Sequence, residues 1–260
     1  MNSKYEIDRK RWLTNTTARS ALVYRVFGAF LLAAILLTGA KSQLAGAGSE
    51  PALFQGLEPA KVAAAVKGNA QALKAFSYQQ RMQLQLKGDT KKVTLNQMSY
   101  DAYGNEQKTL LSEQPPADAP PSGGRLKQRV VAKKTGEFKQ MMQEIAALVK
   151  SYTELPPEQL QAALKQGSFS PGEGELAGSV QIQLHNVIQQ GDSLTIWIDR
   201  TAMLFRRAVI ATTYEGNPVT TTANYAMLPT GQVYMAQSIL NYPKKEVVVE
   251  IDNLNYQRSQ

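Results

Sequence analysis

The chain offers little for catalysis. In 260 residues there is one histidine, His185, and no cysteine. His185 closes "VQIQLH", where Val180, Ile182 and Leu184 alternate with Gln181 and Gln183. Alternation of period two puts the imidazole on the polar face of a strand, toward solvent. A lone imidazole without thiolate or carboxylate neighbours at ligand spacing completes no zinc site. Two carboxylate pairs, Glu173/Glu175 and Glu250/Asp252, have a spacing that acid–base chemistry uses. The first falls in a glycine-rich stretch and the second on one face of a strand, where hydration accounts for both. Neither a G-x-S-x-G elbow nor a phosphate-binding glycine loop is present. The expectation is a protein that is not an enzyme and carries no cofactor or metal.

Two groups of residues could instead bind something. "RLKQRVVAKK", residues 125–134, is the densest basic run outside the N-terminus, with Arg125, Lys127, Arg129, Lys133 and Lys134. It suits an anionic headgroup surface, each charge there contributing about 1 kcal/mol. It also suits the plain solvated edge of a strand or loop. The second group is apolar: Met82, Leu84 and Leu86 on one strand face, with Phe138, Met141, Met142, Ile145 and Val149 along a helix stripe. Methionine-rich faces adapt to varied apolar ligands. The same stripe also serves as ordinary core, and both readings stay open.

These residues need elements to hold them. Val62, Val66, Ala70, Leu73 and Phe76 recur at helical spacing, and Pro59 suits a first helical turn. "RMQLQL", "KKVTLNQMSYDAY" and "EQKTLLSE" read as three strands, with turns at Gly88-Asp89 and Gly104-Asn105. "QPPADAPPSGG", residues 114–124, is a proline-rich loop. A helix over 135–152 is followed by Pro156-Pro157 and a shorter helix to about Gln166, and "GSFSPGEGE" reads as a flexible loop. From Leu176 onward strand follows strand, punctuated by Gly191-Asp192, Glu215-Gly216-Asn217, Pro229-Thr230-Gly231 and Pro243-Lys244-Lys245. Such short connections join antiparallel neighbours. The predicted fold is mainly β (α+β): a strongly curved antiparallel sheet, a half-barrel of about nine strands, with helices packed in its concave face.

The N-terminus is a separate matter. The formal charge of +8 is concentrated there, with seven basic and two acidic residues in 1–47. The rest is close to neutral for its size, so a nucleic-acid partner is not expected. A basic segment, the apolar "VFGAFLLAAILLTGA" and the small residues Ala45-Gly46-Ala47 follow in the order of an export signal. Cleavage would start the mature chain near Gly48. Residues 21–40, however, reach the roughly 20 needed to span a bilayer, so a retained anchor fits as well. Either outcome puts 48–260 outside the cytoplasm, since the positive flank stays inside. Residues 48–57 form a linker, and 58–260 are expected to make one domain.

The export signal, the single N-terminal helix, the helical insertion between strands and the closing meander together resemble a known family. "SLTIWID", "FRRAVIATTYEGNPVTTTANYAMLPTGQVYMAQSIL" and the final "VVVEIDNLNY" are similar in cadence to the periplasmic lipoprotein carriers of the LolA/LolB type. The resemblance implies a lipid or lipoprotein acyl chain held between half-barrel and helices. It covers most of 57–256 as an order of elements, and it transfers no individual functional residue. The fold also serves sensory and structural envelope domains that act through protein partners. Without cysteine, an acylated N-terminal cysteine of the lipoprotein kind is excluded for this chain.

Overall fold

The computed structural model describes residues 59–114 and 125–259. The expected signal or anchor, the linker and nearly all of the proline-rich loop lie outside the described residues. Three helices, α1 (Pro59–Leu73), α2 (Arg125–Ser151) and α3 (Pro157–Lys165), accompany ten strands. The strands are β1 (Phe76–Leu86), β2 (Asp89–Tyr100), β3 (Glu106–Gln114), β4 (Ser168–Pro171), β5 (Ser179–His185), β6 (Ser193–Asp199), β7 (Phe205–Tyr214), β8 (Asn217–Met227), β9 (Val233–Tyr242) and β10 (Val247–Arg258). Among the described residues no helix is long and apolar enough to cross a membrane.

All ten strands form one antiparallel sheet in the order β3-β2-β1-β10-β9-β8-β7-β6-β5-β4. Every sequence neighbour is a sheet neighbour except β3 and β4, which become the two open edges. The α2–α3 insertion connects those edges, and β1 pairs with β10 through Met82↔Ile251, Leu84↔Val249 and Leu86↔Val247. The sheet is the expected curved half-barrel, and the helices cover its concave face. Their buried side chains, Val62, Val66, Met142, Ile145, Val149 and Leu160, share one core with inward residues such as Leu184, Ile210, Leu240 and Ile251.

Several boundaries differ from the sequence expectation, each for a local reason. There are ten strands, not about nine, because "GSFSPGEGE" is not a loop: Ser168–Pro171 pairs with β5, and a 3-10 turn follows at Gly174–Leu176. A four-residue edge strand with serine and proline carries almost no periodic signal. Phe76, placed by spacing on the helix face, instead opens β1; α1 stops at Leu73. The first hairpin turns at Lys87-Gly88, one residue earlier than read, with both φ positive (57° and 80°) as a type I′ turn requires. The basic run is neither strand nor loop edge: α2 begins at Arg125, not near 135, so residues 125–134 are its first turns.

One irregularity positions the site described below. Opposite Ser77 and Gln79, strand β10 carries one extra residue, since the register jumps from Gln257 to Leu254. Asn255 absorbs the bulge with a φ of 53°. Inward positions on β10 run Val247, Val249, Ile251, Asn253; the bulge lets Tyr256 join that side, where its ring stacks on Tyr78 at 4.7 Å.

Candidate functional site

The site is a cleft between α1 and one end of the half-barrel, with a cavity of about 80 Å³. Helix α1 supplies Val66, Asn69, Ala70 and Leu73, positions that fall on one face by their spacing of three and four. The sheet supplies a wall of aromatic rings. Tyr78 and Tyr256 are stacked, Tyr234 lies 4.3 Å from Tyr256, and Phe205 is 5.8 Å from Tyr225. No residue lining the cleft carries a formal charge.

The cleft exists because two strands part. The β9–β10 ladder runs from Val247↔Tyr242 to Asp252↔Gln237 and stops. Beyond it β9 stays with β8 as far as Met227↔Val233, while β10 stays with β1 as far as Phe76↔Arg258. Buried backbone groups freed in this way need partners, and carboxamides provide them. Asn69 Nδ2 donates to the Val233 carbonyl at 2.6 Å, and the Val233 amide donates to Asn69 Oδ1 at 2.7 Å. Asn253 Nδ2 donates to the Met235 carbonyl at 2.8 Å. Behind Asn253, Gln80 Nε2 donates to Asn253 Oδ1 at 3.3 Å, and Lys108 Nζ reaches Gln80 Oε1 at 3.4 Å.

Burial sets the electrostatics. It pushes the Tyr78 and Tyr256 hydroxyls well above the usual phenol range, and Tyr100 up to about 12, with negative Glu106 adding to each. Burial also pulls Lys108 down to about 8, against the opposing pull of Glu106. The Tyr225 hydroxyl is shut off from solvent and has no hydrogen-bond partner among the described residues. The site is uncharged and aromatic, with carboxamides and phenols as its polar groups, and it suits an uncharged group.

The residues singled out in the sequence fall elsewhere. Met142, Ile145 and Val149 are buried in the core at 6%, 0% and 2% exposure. Met82, Leu84, Leu86, Phe138 and Met141 pack partly buried against that core. The structure brings these eight together, but none of them lines the cleft. His185 is exposed at the end of β5. Glu175 is exposed and lies 3.6 Å from Arg207, while Glu250 and Asp252 are bridged by Gln237 at 2.8 and 3.2 Å. Asp252 also meets Arg81 at 3.2 Å. Glu175 thus sits in the 3-10 turn beside an arginine, and Glu250 and Asp252 are bridged side chains of β10. Lys133 and Lys134 are exposed, Lys133 lying 3.8 Å from Glu137; the side chains of Arg125, Lys127 and Arg129 lie outside the described residues. Among the described residues no three His, Asp or Glu side chains gather in a way that could hold a metal ion.

The tyrosines and Asn69 were missed. Asn69 had a readable signal, a carboxamide set between Val66 and Leu73 on an otherwise apolar stripe. The tyrosines had none, because the bulge at Asn255 and the parting of β9 from β10 bring them together.

No protein-family model matches the chain, and no curated protein matches it. Solved structures do. A LolA superfamily protein from Nitrosomonas europaea is similar at 10% identity, covering 74% of this chain and 94% of its own, with a TM-score of 0.35. A DUF1329 family protein from Desulfovibrio piger is similar at 9% identity over 77% of this chain and 92% of its own, with a TM-score of 0.33. An outer membrane lipoprotein-sorting protein domain from Vibrio parahaemolyticus is similar at 10% identity over 79% and 92%, with a TM-score of 0.32. At such values the likeness lies in the arrangement of elements and carries no inference about ligand or partner.

Proposed function

We propose that the chain is an exported envelope protein that binds an apolar or amphipathic ligand inside its half-barrel and performs no reaction on it. The ligand class, a lipid or a lipoprotein acyl chain, is the one implied by the sequence resemblance, and the uncharged cleft lining agrees with it. The observation that carries the reading is the tyrosine-walled cleft beneath a thinly held helix. Among the described side chains of α1, Val62 and Val66 are the buried apolar ones. Val66, Phe205 and Met235 belong both to the cleft and to the core, so a ligand entering the cleft meets the core directly.

A cavity of about 80 Å³ is smaller than the ~150 Å³ that accommodates a benzene. Loading therefore requires α1, which supplies one wall of the cleft, to move away from the sheet. Native mass spectrometry with lipid extraction, on protein recovered from cells, tests the reading. A co-purifying lipid is expected; its absence, with no uptake from added lipid, overturns the carrier function.

A second reading has its own observation. The interior is well filled, as Ile145 and Val149 show, and this favours a structural or sensory domain working through a protein partner. The N-terminus separates the two. Protein starting near Gly48 in the soluble fraction fits a shuttle, whereas an intact chain from Met1 in the membrane fraction fits an anchored domain.

A further inference from the structure

Charge is divided between the two layers of the fold. The three helices hold ten basic and three acidic residues, while the rest of residues 48–260 holds twelve basic and sixteen acidic ones. The helices lie on the concave side, so that side is positive and the sheet is negative. Ion pairing sharpens the division. On the sheet Arg81 meets Asp252 at 3.2 Å, Lys92 meets Glu113 at 2.9 Å and Arg207 lies 3.6 Å from Glu175. On the helices Lys67, Lys134 and Lys139 are exposed and have no ion-pair partner among the described residues. The same holds for Lys74, just past the end of α1. The large exposed apolar side chains, Tyr103, Leu110, Leu111, Met227 and Leu254, belong to the sheet and its turns.

We infer that the helical layer docks on an anionic lipid bilayer, with α1 and the first half of α2 against the headgroups. Ammonium groups left unneutralised on two separate helices match a surface that is negative over a wide area, as anionic headgroups are. A plane can meet both helices together. With no large apolar side chain among their exposed, described residues, the contact is electrostatic and reversible, without insertion into the acyl region. The basic run of α2 suits such a surface by itself; the fold adds α1, whose sequence reads only as an apolar-striped helix. The inference goes beyond the carrier reading, since it holds whether or not the cleft takes a ligand.

The test uses the full chain with vesicles of phosphatidylcholine alone, or of equal parts phosphatidylcholine and phosphatidylglycerol. Lysine amines are acetylated with a water-soluble reagent and mapped by mass spectrometry. This reads orientation even where an N-terminal anchor holds the protein to both kinds of vesicle. At low salt Lys67, Lys74, Lys133, Lys134 and Lys139 are expected to lose reactivity severalfold on the anionic vesicles relative to the neutral ones. Lys87, Lys244 and Lys245, exposed on the β1–β2 and β9–β10 connections, should keep theirs. Added salt should abolish the difference. Lys67→Gln combined with Lys74→Gln should also reduce the protection of Lys133, Lys134 and Lys139, because both helices meet one plane. Equal protection of both sets of lysines, or protection of neither, overturns the docking face. Unchanged protection on α2 in the double variant takes α1 out of the face and overturns the inference too. Protection by soluble heparin without protection by anionic vesicles assigns a soluble polyanion and overturns the bilayer.

Discussion

The Tyr152 hydroxyl donates to Asp192 Oδ2 at 2.5 Å, joining the residue that follows α2 to the β5–β6 connection 40 residues away. Asp192 is buried and also accepts the backbone amides of Val187, Ile188 and Gln189 at 2.5 to 2.8 Å. Tyr152 lies 2.7 Å from Thr212 Oγ1 as well. The helix that fills the half-barrel is therefore fixed at its C-terminal end by a saturated polar lock.

Tyr152→Phe removes one donor from a buried carboxylate, and hydrogen bonds to charged groups contribute about 1.5–3 kcal/mol each. A loss of that size in unfolding free energy is expected. Asp192→Ala should cost more, since three backbone amides, that of Val187 buried, lose their acceptor together. A double-mutant cycle by urea denaturation measures the coupling; additive losses would mean that the two side chains act separately.

The interior offers a second check. Ile145 and Met142 are buried among both sheet and helix residues, so truncating either to alanine should cost about 2–5 kcal/mol. Met141 is only partly buried, and Met141→Ala should cost about 1 kcal/mol or less, because part of its surface already meets solvent. Small losses at Ile145 and Met142 would show that the concave face is loosely packed even without ligand.

Element order was legible because alternation and helical spacing are local properties. Val180, Ile182 and Leu184 announced β5, and Phe138 to Tyr152 announced the buried half of α2. β4 was not legible, since Ser168 and Pro171 flank too few residues to show a period. The first turns of α2 were obscured because basic residues there hide helical spacing as effectively as they hide a strand. The cleft depends on events with no local sign: β10 returning to pair with β1, the bulge at Asn255, and β9 leaving β10 beyond Gln237. Only Asn69, polar within an apolar stripe, could have drawn attention to it.

The start of α2 gives a third prediction. Its side chains from Lys133 to Glu137 are all exposed, and Phe138 packs against the core. Arg125, Arg129 and Lys133 share a helix face by their spacing of four. If this basic arm meets an anionic membrane surface, the protein should bind vesicles containing anionic lipid at low salt and release as salt rises. Replacing Arg125, Lys127, Arg129, Lys133 and Lys134 with glutamine should weaken that binding. Unchanged binding in the substituted protein would assign the arm to ordinary solvated surface.

The last prediction concerns pH. Lys108 faces inward opposite Met98, which is 1% exposed, and burial draws its pKa from 10.5 to about 8. Between those values the unfolded chain keeps a proton on this lysine that the folded protein has released. Stability rises with pH wherever the unfolded state binds more protons, so it should climb from about pH 8 toward pH 10. Above about pH 10 the tyrosines act in the opposite sense. Burial holds Tyr78 and Tyr256 protonated in the fold, and Tyr100 up to about 12, while the unfolded phenols ionise; stability should then fall. Lys108→Met retains most of the aliphatic length and removes the titrating group. Urea midpoints measured across this range should rise and then fall for the wild type, but lose the rising limb in Lys108→Met. An equal rise in both proteins would show that some other group is responsible and that Lys108 stays hydrated in the folded protein.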